Sequence, residues 1–198
     1  MAVNAILSGF LQAFDRYRAK RIAAYLSNPI APQKRVLDCG CGKMVVSQLL
    51  QQDLDVKVVG VDVISVNDTA LEMCLGDASR LPFADDSFDA VYAVSVLHHT
   101  RHAAWVLQEC LRVARERLVI LEDVYQSQFE LALLKIFDWI GNRPVAAEMP
   151  LPFTFRSEPA WLQQFESLGA RVRGVRSIRP VPWRPTRHRR FVLEAVES

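Results

Sequence analysis

At 198 residues, 51% apolar and 23% charged, the chain can bury one substantial core and is short for two independent domains. A formal net charge of +2 argues against bulk nucleic-acid binding and against disorder. Cys39, Cys41, Cys74 and Cys110 form no CxxC pair and no paired spacing with histidine, so buried, reduced thiols and no metal site are expected. No run approaches ~20 apolar residues, and residues 1–14 lack the basic segment and cleavage signal of a secretory leader. The expectation is a cytoplasmic protein with no transmembrane segment.

In chain order, Ile6, Phe10, Phe14 and Tyr17 recur at helical spacing within residues 5–26, predicting an amphipathic leading helix that Asn28, Pro29 and Pro32 stop. Residues 35–39 read as a strand running into a glycine loop, and 44–52 as a helix. Val56, Val58, Val59 and Val61 mark a buried strand at 57–61. A short strand is predicted at 72–75, reached by a loop or a single helical turn because Asn67 and Asp68 oppose a crossover helix. The clearest strand is 88–96, followed by a helix at 102–114 with Thr100 as its N-cap. A strand at 118–122, a helix at 126–140 and a Pro-rich irregular stretch at 143–152 come next. Ser157 and Pro159 start a further helix, with Trp161, Leu162, Phe165 and Leu168 on one face and Gly169 as its stop. Strands at 171–178 and 188–196, parted by the proline-broken segment 180–185, complete the chain as an antiparallel pair.

This alternation predicts an α/β fold, a Rossmann-like, mostly parallel seven-stranded sheet with helices on both faces and a C-terminal antiparallel hairpin. Ligands of such sheets bind beyond the carboxyl ends of the strands, where strand order reverses. The loops after Cys39, Val61, Leu75 and Val96 are therefore where chemistry is expected. The first reads Asp38-Cys39-Gly40-Cys41-Gly42-Lys43-Met44, and its glycines let a ligand approach the backbone. Asp62, 20 residues beyond Gly42, keeps a nicotinamide dinucleotide in play. Against that ligand, Val45 stands where a third fingerprint glycine belongs, and Asp38 would face a pyrophosphate of like charge. A carboxylate there suits a ligand bearing an ammonium group.

Asp38-x-Gly40-x-Gly42, Val59-Gly60-Val61-Asp62, the run from Gly76 to Phe83 and the run from Asp86 to Val91 resemble successive motifs of class I S-adenosylmethionine-dependent methyltransferases. The resemblance is closest to the small-molecule branch that includes the ubiquinone and menaquinone biosynthesis methyltransferases. It extends through Val96-Leu97-His98-His99 and Glu109-x-x-Arg112-Val113, covering roughly residues 35–123. It implies that S-adenosyl-L-methionine (SAM) is the cofactor. Asp38 would hold its ammonium group, Gly40 and Gly42 would admit the methionine and ribose portion, and Asp62 would accept from both ribose hydroxyls. Asp77 would accept from the adenine amino group and the Ala78 N–H would reach a ring nitrogen, with Ser95 counted among the cofactor-binding residues. Met44 departs from the family by replacing a third small residue, either crowding the loop or packing beneath it. The crossover before residue 72 is short, and 114–117 replaces a customary Lys-Pro-Gly-Gly turn.

One methyltransferase domain is thus expected over 1–198: a leading helix and linker at 1–32, a cofactor-binding core at 33–123, and substrate-side helices and strands at 124–198. If the acceptor is a hydroxyl, His98 or His99 is the candidate catalytic base. The leading helix, residues 138–156 and the His98 loop would build the acceptor pocket. Phe10, Phe14, Trp139, Phe153, Phe155 and Trp161 would give it an apolar character, favouring a small hydrophobic or amphipathic acceptor. The arginines from Arg171 to Arg190 support an alternative RNA or protein substrate, and Met44 supports a SAM-binding partner subunit without activity.

Overall fold

The computed structural model describes residues 2–31, 33–142 and 151–194, with side chains from residue 12 onward. Pro32, the side chain of Phe10, the stretch 143–150 and the tail 195–198 lie outside the described residues. Seven strands form one sheet in the order β3-β2-β1-β4-β5-β7-β6. They are β1 (Arg35–Cys39), β2 (Lys57–Asp62), β3 (Met73–Leu75), β4 (Phe88–Val94), β5 (Ala114–Val124), β6 (Arg171–Ile178) and β7 (Arg187–Glu194). Pairing is parallel through β5 and antiparallel for β5 with β7 and for β7 with β6. Order reverses between β1 and β4, so their carboxyl ends flank the crevice where such sheets take ligands.

Among the described residues five α-helices surround the sheet: α1 (Ala2–Ile30), α2 (Val45–Asp53), α3 (Ala103–Val113), α4 (Gln128–Asn142) and α5 (Glu158–Ser167). Because successive strand residues face opposite sides, Leu37, Val59, Val91 and Leu118 join Val106, Leu107, Cys110, Trp161 and Phe165 of α3 and α5 in one core. On the other face Val36, Val58, Tyr92 and Val119 pack with Ile22, Leu26 and Ile30 of α1 and Leu50 of α2. Burying each large side chain contributes roughly 1.5–3 kcal/mol. Trp161, expected to line an acceptor pocket, is instead fully buried in the first core, stacked on Phe165.

Local sequence signals gave way to tertiary contacts at several places. The leading helix continues past Asn28 and through Pro29 to Ile30. Proline has no N–H to give the carbonyl four residues back, and that carbonyl, Tyr25 O, is taken by Arg190 Nη1 at 2.7 Å. Thr100 does not cap α3. Its hydroxyl accepts from His102 N at 3.1 Å, and a 3-10 turn at Leu97–His99 precedes the helix. Residues 114–117, expected as a loop, belong to β5, where a register shift near Phe88 and Ala90 accommodates them. Arg115 holds this region by bonding Asp89 Oδ1 at 2.7 Å and Asp86 O at 2.9 Å. As expected, no helix bridges β2 and β3. Ser157 caps α5 by accepting from Ala160 N at 3.4 Å, and Gly169 follows its end with φ +71°.

Met44 sits at the start of α2 with φ 56° and ψ 19°, a left-handed conformation that disfavours a side chain by roughly 1–2 kcal/mol. The family's small residue at this position therefore has a backbone reason. Here the side chain is folded beneath the loop and is 1% exposed. Its Cε and Sδ lie 2.7 and 2.8 Å from where a Cβ on Gly60 would stand. Gly60 thus leaves room for Met44 on the strand, and the packing reading holds. Met44→Gly is expected to relieve the backbone but lose buried contacts typically worth ~2–5 kcal/mol, so the melting temperature falls by several degrees. Adding Gly60→Ala should restore none of it, because Cys41 Sγ also lies 2.7 Å from that Cβ position and must shift to admit a methyl group. Thermal denaturation of both variants checks this, and a Met44→Gly protein melting above wild type would contradict it.

Candidate cofactor and acceptor site

The glycine loop is clamped to β2. Gly40 N and Cys41 N donate to Val61 O at 2.8 and 3.1 Å, and Gly42 N donates to Asp62 Oδ2 at 2.8 Å. Asp62 also accepts from Ile64 N through Oδ1 at 3.2 Å, which fixes the carboxylate at the strand end. Gly40, with φ +74°, abuts Val96, whose Cγ2 lies 2.4 Å from where a Cβ would stand. That contact brings the first loop against the segment after β4, and only glycine permits it. Gly42, with φ +49°, has open space where its Cβ would be.

Asp38 lies behind the loop and is 4% exposed. Its Oδ2 accepts a short hydrogen bond from Ser47 Oγ, which is 2.8 Å from Tyr92 OH. Register places Tyr92, Asp38 and Gly60 side by side on the α2 face, so the carboxyl is held by the sheet and by α2. Burial pushes it up to about 7, with the hydrogen bonds from Ser47 and Tyr92 opposing and nearby Asp62 adding to the rise. Ser47 and Tyr92 were not singled out in the sequence. An isolated Ser in an apolar helix face three residues after Met44 was the available signal.

Asp77 is exposed at the end of β3, where its Oδ1 accepts from Ser79 N at 2.8 Å. Ala78 packs partly against the core. The loop beyond is fixed from α3: Glu109 Oε2 accepts from Leu81 N at 2.8 Å, and Arg112 donates to Leu81 O and Phe83 O at 3.2 and 2.9 Å. The Glu-x-x-Arg spacing therefore serves to hold the loop after β3. Ser95, with φ 55°, turns the chain out of β4 and donates its N–H to Leu121 O at 2.8 Å. The loops carrying Gly42, Asp62, Asp77 and Ser95 thus come together at one edge of the sheet.

The histidines occupy different environments. His98 is 1% exposed, its Nδ1 lies 2.6 Å from Glu122 Oε2, and its Nε2 lies 3.3 Å from Asp138 Oδ1 of α4. Phe155 stacks on the ring at 4.4 Å and 19°. Burial pulls the imidazole down, but Glu122 and Asp138 outweigh it and raise it to about 10. His98 is therefore an imidazolium at neutral pH, with both nitrogens engaged. His99 is lowered to about 4 by burial and the neighbouring positive His98, so it is neutral there. Its Nε2 lies 3.6 Å from Asp138 Oδ1, and its Nδ1 is buried with no hydrogen-bond partner among the described residues.

Glu122, Asp123 and Asp138 complete this cluster; the sequence assigned none of them a role of its own, although Asp138 opens the stretch 138–156 expected to help build the acceptor pocket. Asp123 lies 2.9 Å from His188 Nε2. Burial raises it, but His188, His98 and Arg184 hold it well below the usual carboxylate range. The signal for these groups was a pair of acids closing the apolar run of β5.

A methyltransferase-domain family profile matches residues 37–120, the stretch holding the glycine loop, Asp62, Asp77 and the histidines. Residues 37–120 thus form a methyltransferase domain, set on a sheet of the Rossmann-like methyltransferase fold. The domain is 39% identical over 105 residues to a demethylmenaquinone methyltransferase of Beutenbergia cavernae, covering 46% of this chain and 41% of that protein. It is 35% identical over 130 residues to a demethylmenaquinone methyltransferase of Thermotoga maritima, covering 61% and 55%. To a 27-O-demethylrifamycin SV methyltransferase of Amycolatopsis mediterranei it is 32% identical over 108 residues, covering 48% and 39%. The chain thus spans about half or less of the length of these relatives. A geranyl diphosphate methyltransferase solved with SAM superposes with a TM-score of 0.64 at 14% identity, covering 88% of this chain and 84% of that one. The [4+2]-cyclase SpnF superposes at 0.69, also at 14% identity, covering 90% and 81%. A fold shared with a cyclase shows that activity must be argued from the site.

The donor set of the methyltransferase domain suits SAM. Gly42 leaves open space beside the loop, and the Asp62 carboxylate stands at its edge. The buried Asp38 supplies negative charge behind the loop for a cationic ligand. Above pH 7 wild type carries the cost of an ionised carboxyl in the interior, whereas below pH 4 the group is neutral when folded and largely so when unfolded. Its stabilising contribution is therefore lost as pH rises through about 7. Asp38→Asn, neutral throughout, is expected to melt above wild type at pH 8, with the advantage shrinking toward pH 5. Its SAM affinity at pH 8 should fall. Thermal melts and calorimetric titration at the two pH values test both signs, and a variant melting below wild type at pH 8 would refute the assignment.

Proposed function

We propose that the protein transfers a methyl group from SAM to a small, hydrophobic or amphipathic acceptor, and that residues 1–198 act as one unit in doing so. The observation that carries this reading is the loop geometry: positive-φ Gly42 facing open space, with Asp62 fixed beside it and Asp38 buried behind. The methyltransferases to which the domain is similar are named for demethylmenaquinone, 27-O-demethylrifamycin SV and 2-methyl-6-phytyl-1,4-hydroquinone, which supports a small-molecule acceptor.

Bound SAM would supply a methyl carbon made electrophilic by its sulfonium. The chain's part is to hold the acceptor in line with that carbon and keep water away. Asp38 would favour the ligand's positive charge, Gly40 and Gly42 would let the backbone approach, and Asp62 would accept from hydroxyls through both oxygens. Asp77, Ala78 and Ser95 would border the adenine side. Of the two histidines, His99 is the proposed base, because it is neutral and its Nδ1 has no hydrogen-bond partner among the described residues. Asp138, 3.6 Å away, would stabilise the imidazolium formed when His99 takes a proton from an acceptor hydroxyl. His98 positions that turn.

Asp62→Ala is expected to weaken SAM binding tenfold to a few hundredfold. Two hydrogen bonds to a charged acceptor, ~1.5–3 kcal/mol each, are lost and water recovers part. Mass spectrometry of ligand retained on purification and calorimetry with SAM test the reading. Unchanged affinity in Asp62→Ala would remove the carboxylate from the site.

His99→Ala is expected to lower methyl-transfer turnover at least tenfold while leaving SAM affinity within a few fold, since general-base catalysis typically contributes about 10²–10⁴-fold. Assays with label transferred to fractionated lipid and metabolite extracts provide the readout. Wild-type turnover in His99→Ala would assign the residue a structural role only.

A further inference from the structure

The C-terminal arginines are not absorbed by this reading, and several meet α1 on the face of the sheet away from α3 and α5. A cleft of about 440 Å³ there is lined by Tyr17, Lys20, Arg21, Ala24, Tyr25 and Arg176. Its lining holds three cations and no carboxylate. Beneath it, Arg176 stands directly opposite Arg190 in the β6–β7 ladder, a placement of like charges that opposes pairing. Arg190 is held in place by its bond to Tyr25 O at 2.7 Å, and its buried Nε has no partner among the described residues. Burial and the nearby Arg176 both push its guanidinium down. Among the described residues, Lys20, Arg21, Arg176 and Arg190 take part in no salt bridge, whereas Arg173, Arg187 and Arg189 in the same strands are each paired with a glutamate.

The cations are also oriented. Arg21 Nε donates to Arg179 O at 3.0 Å and its Nη2 to Tyr25 OH at 3.5 Å. Tyr17, at the margin, stacks on Trp183 at 5.7 Å and 22°, and Trp183 is 67% exposed. An uncompensated, partly fixed set of guanidinium and ammonium groups around a concavity recognises a phosphate better than a carboxylate or a neutral group. Guanidinium forks match phosphate oxygens, and a phosphate carries enough charge to offset several cations at once.

We propose that the cleft between α1 and the β6–β7 edge binds a phosphate-ester group, carried either by a phospholipid headgroup or by a soluble phosphorylated molecule. The site is separate from the glycine loop, so it stands or falls independently of methyl transfer. Trp183 beside Tyr17 gives the lipid source a place for an aromatic ring at the level of the headgroups.

The test uses the full chain with two probes: sedimentation with phosphatidylglycerol-containing against pure phosphatidylcholine vesicles, and calorimetric titration with inorganic pyrophosphate. Binding to the anionic vesicles alone identifies the headgroup source, and binding to pyrophosphate the soluble one. In either arm Arg176→Gln should weaken binding about fivefold, and Lys20→Gln/Arg176→Gln about 25-fold. Lys57→Gln, a remote basic residue, should change neither. Without ligand, Arg176→Gln should melt about 1–3 °C higher, because the opposed arginines are relieved. The proposal is overturned if wild type binds neither probe, if the double variant binds as wild type does, or if Lys57→Gln loses as much as Arg176→Gln.

Discussion

A single buried carboxylate organises the carboxyl end of this sheet. Glu122 is fully buried on β5, and its Oε1 accepts from Val96 N and Leu97 N at 2.9 and 2.7 Å while Oε2 faces His98 Nδ1 at 2.6 Å. Two backbone N–H groups that the end of β4 leaves unpaired are thus satisfied by one side chain from the neighbouring strand. Leaving each unmade in the interior would cost about 1–3 kcal/mol. The carboxylate in turn needs a counter-charge, since an unpaired buried ion is strongly unfavourable. His98 supplies it, and Asp138 on the ring's other side brings α4 into the same arrangement. Thr154 closes the turn from a further segment by donating its N–H to His98 O at 3.0 Å. Strands β4 and β5, helix α4 and the segment leading to α5 therefore converge on one imidazolium.

That convergence separates two adjacent histidines that look equivalent in sequence. One is consumed as a structural cation; its positive charge, together with burial, keeps the other neutral. Pairs of titratable groups pushed apart by their surroundings leave one that holds its proton and one that does not, the usual division between acid and base roles. The same turn also carries Val96, which closes against Gly40. The histidine turn and the glycine loop are in this way joined through a few residues after β4.

The glycine loop shows a second economy of packing. The chain keeps the left-handed backbone of a small residue at position 44 while using a methionine there, because Gly60 opens a place for it on β2. Departure from the family at one position is matched by absence of a side chain at a residue 16 positions away in the chain and adjacent in space. Asp38, next to Gly60 in the parallel register, is then shielded from water by the same helix start. This shielding accounts for its raised protonation range.

The order of elements, the parallel core, the antiparallel end and the positions of Asp38, Gly40, Gly42, Asp62 and Asp77 at the strand ends were legible in the sequence, whereas Ser95, expected inside a strand at 88–96, lies past the end of β4 with φ 55°. Alternating apolar patterns, glycine at positive-φ turns and acids at strand ends are local consequences of backbone geometry, so they leave a trace in neighbouring residues. What only the tertiary structure decided was every matter of partnership between distant residues. Pro29 stays helical because Arg190, far away in the chain, takes the carbonyl it abandons. Residues 114–117 become strand because Phe88 and Ala90 offer them an edge. Trp161 is core and not pocket because α5 lies on the α3 face. The roles of His98 and His99 depend on Glu122 and Asp138, which no spacing rule brings together. Burial and the nearest charge set protonation, and both are properties of the folded arrangement and not of the residue or its neighbours in the chain.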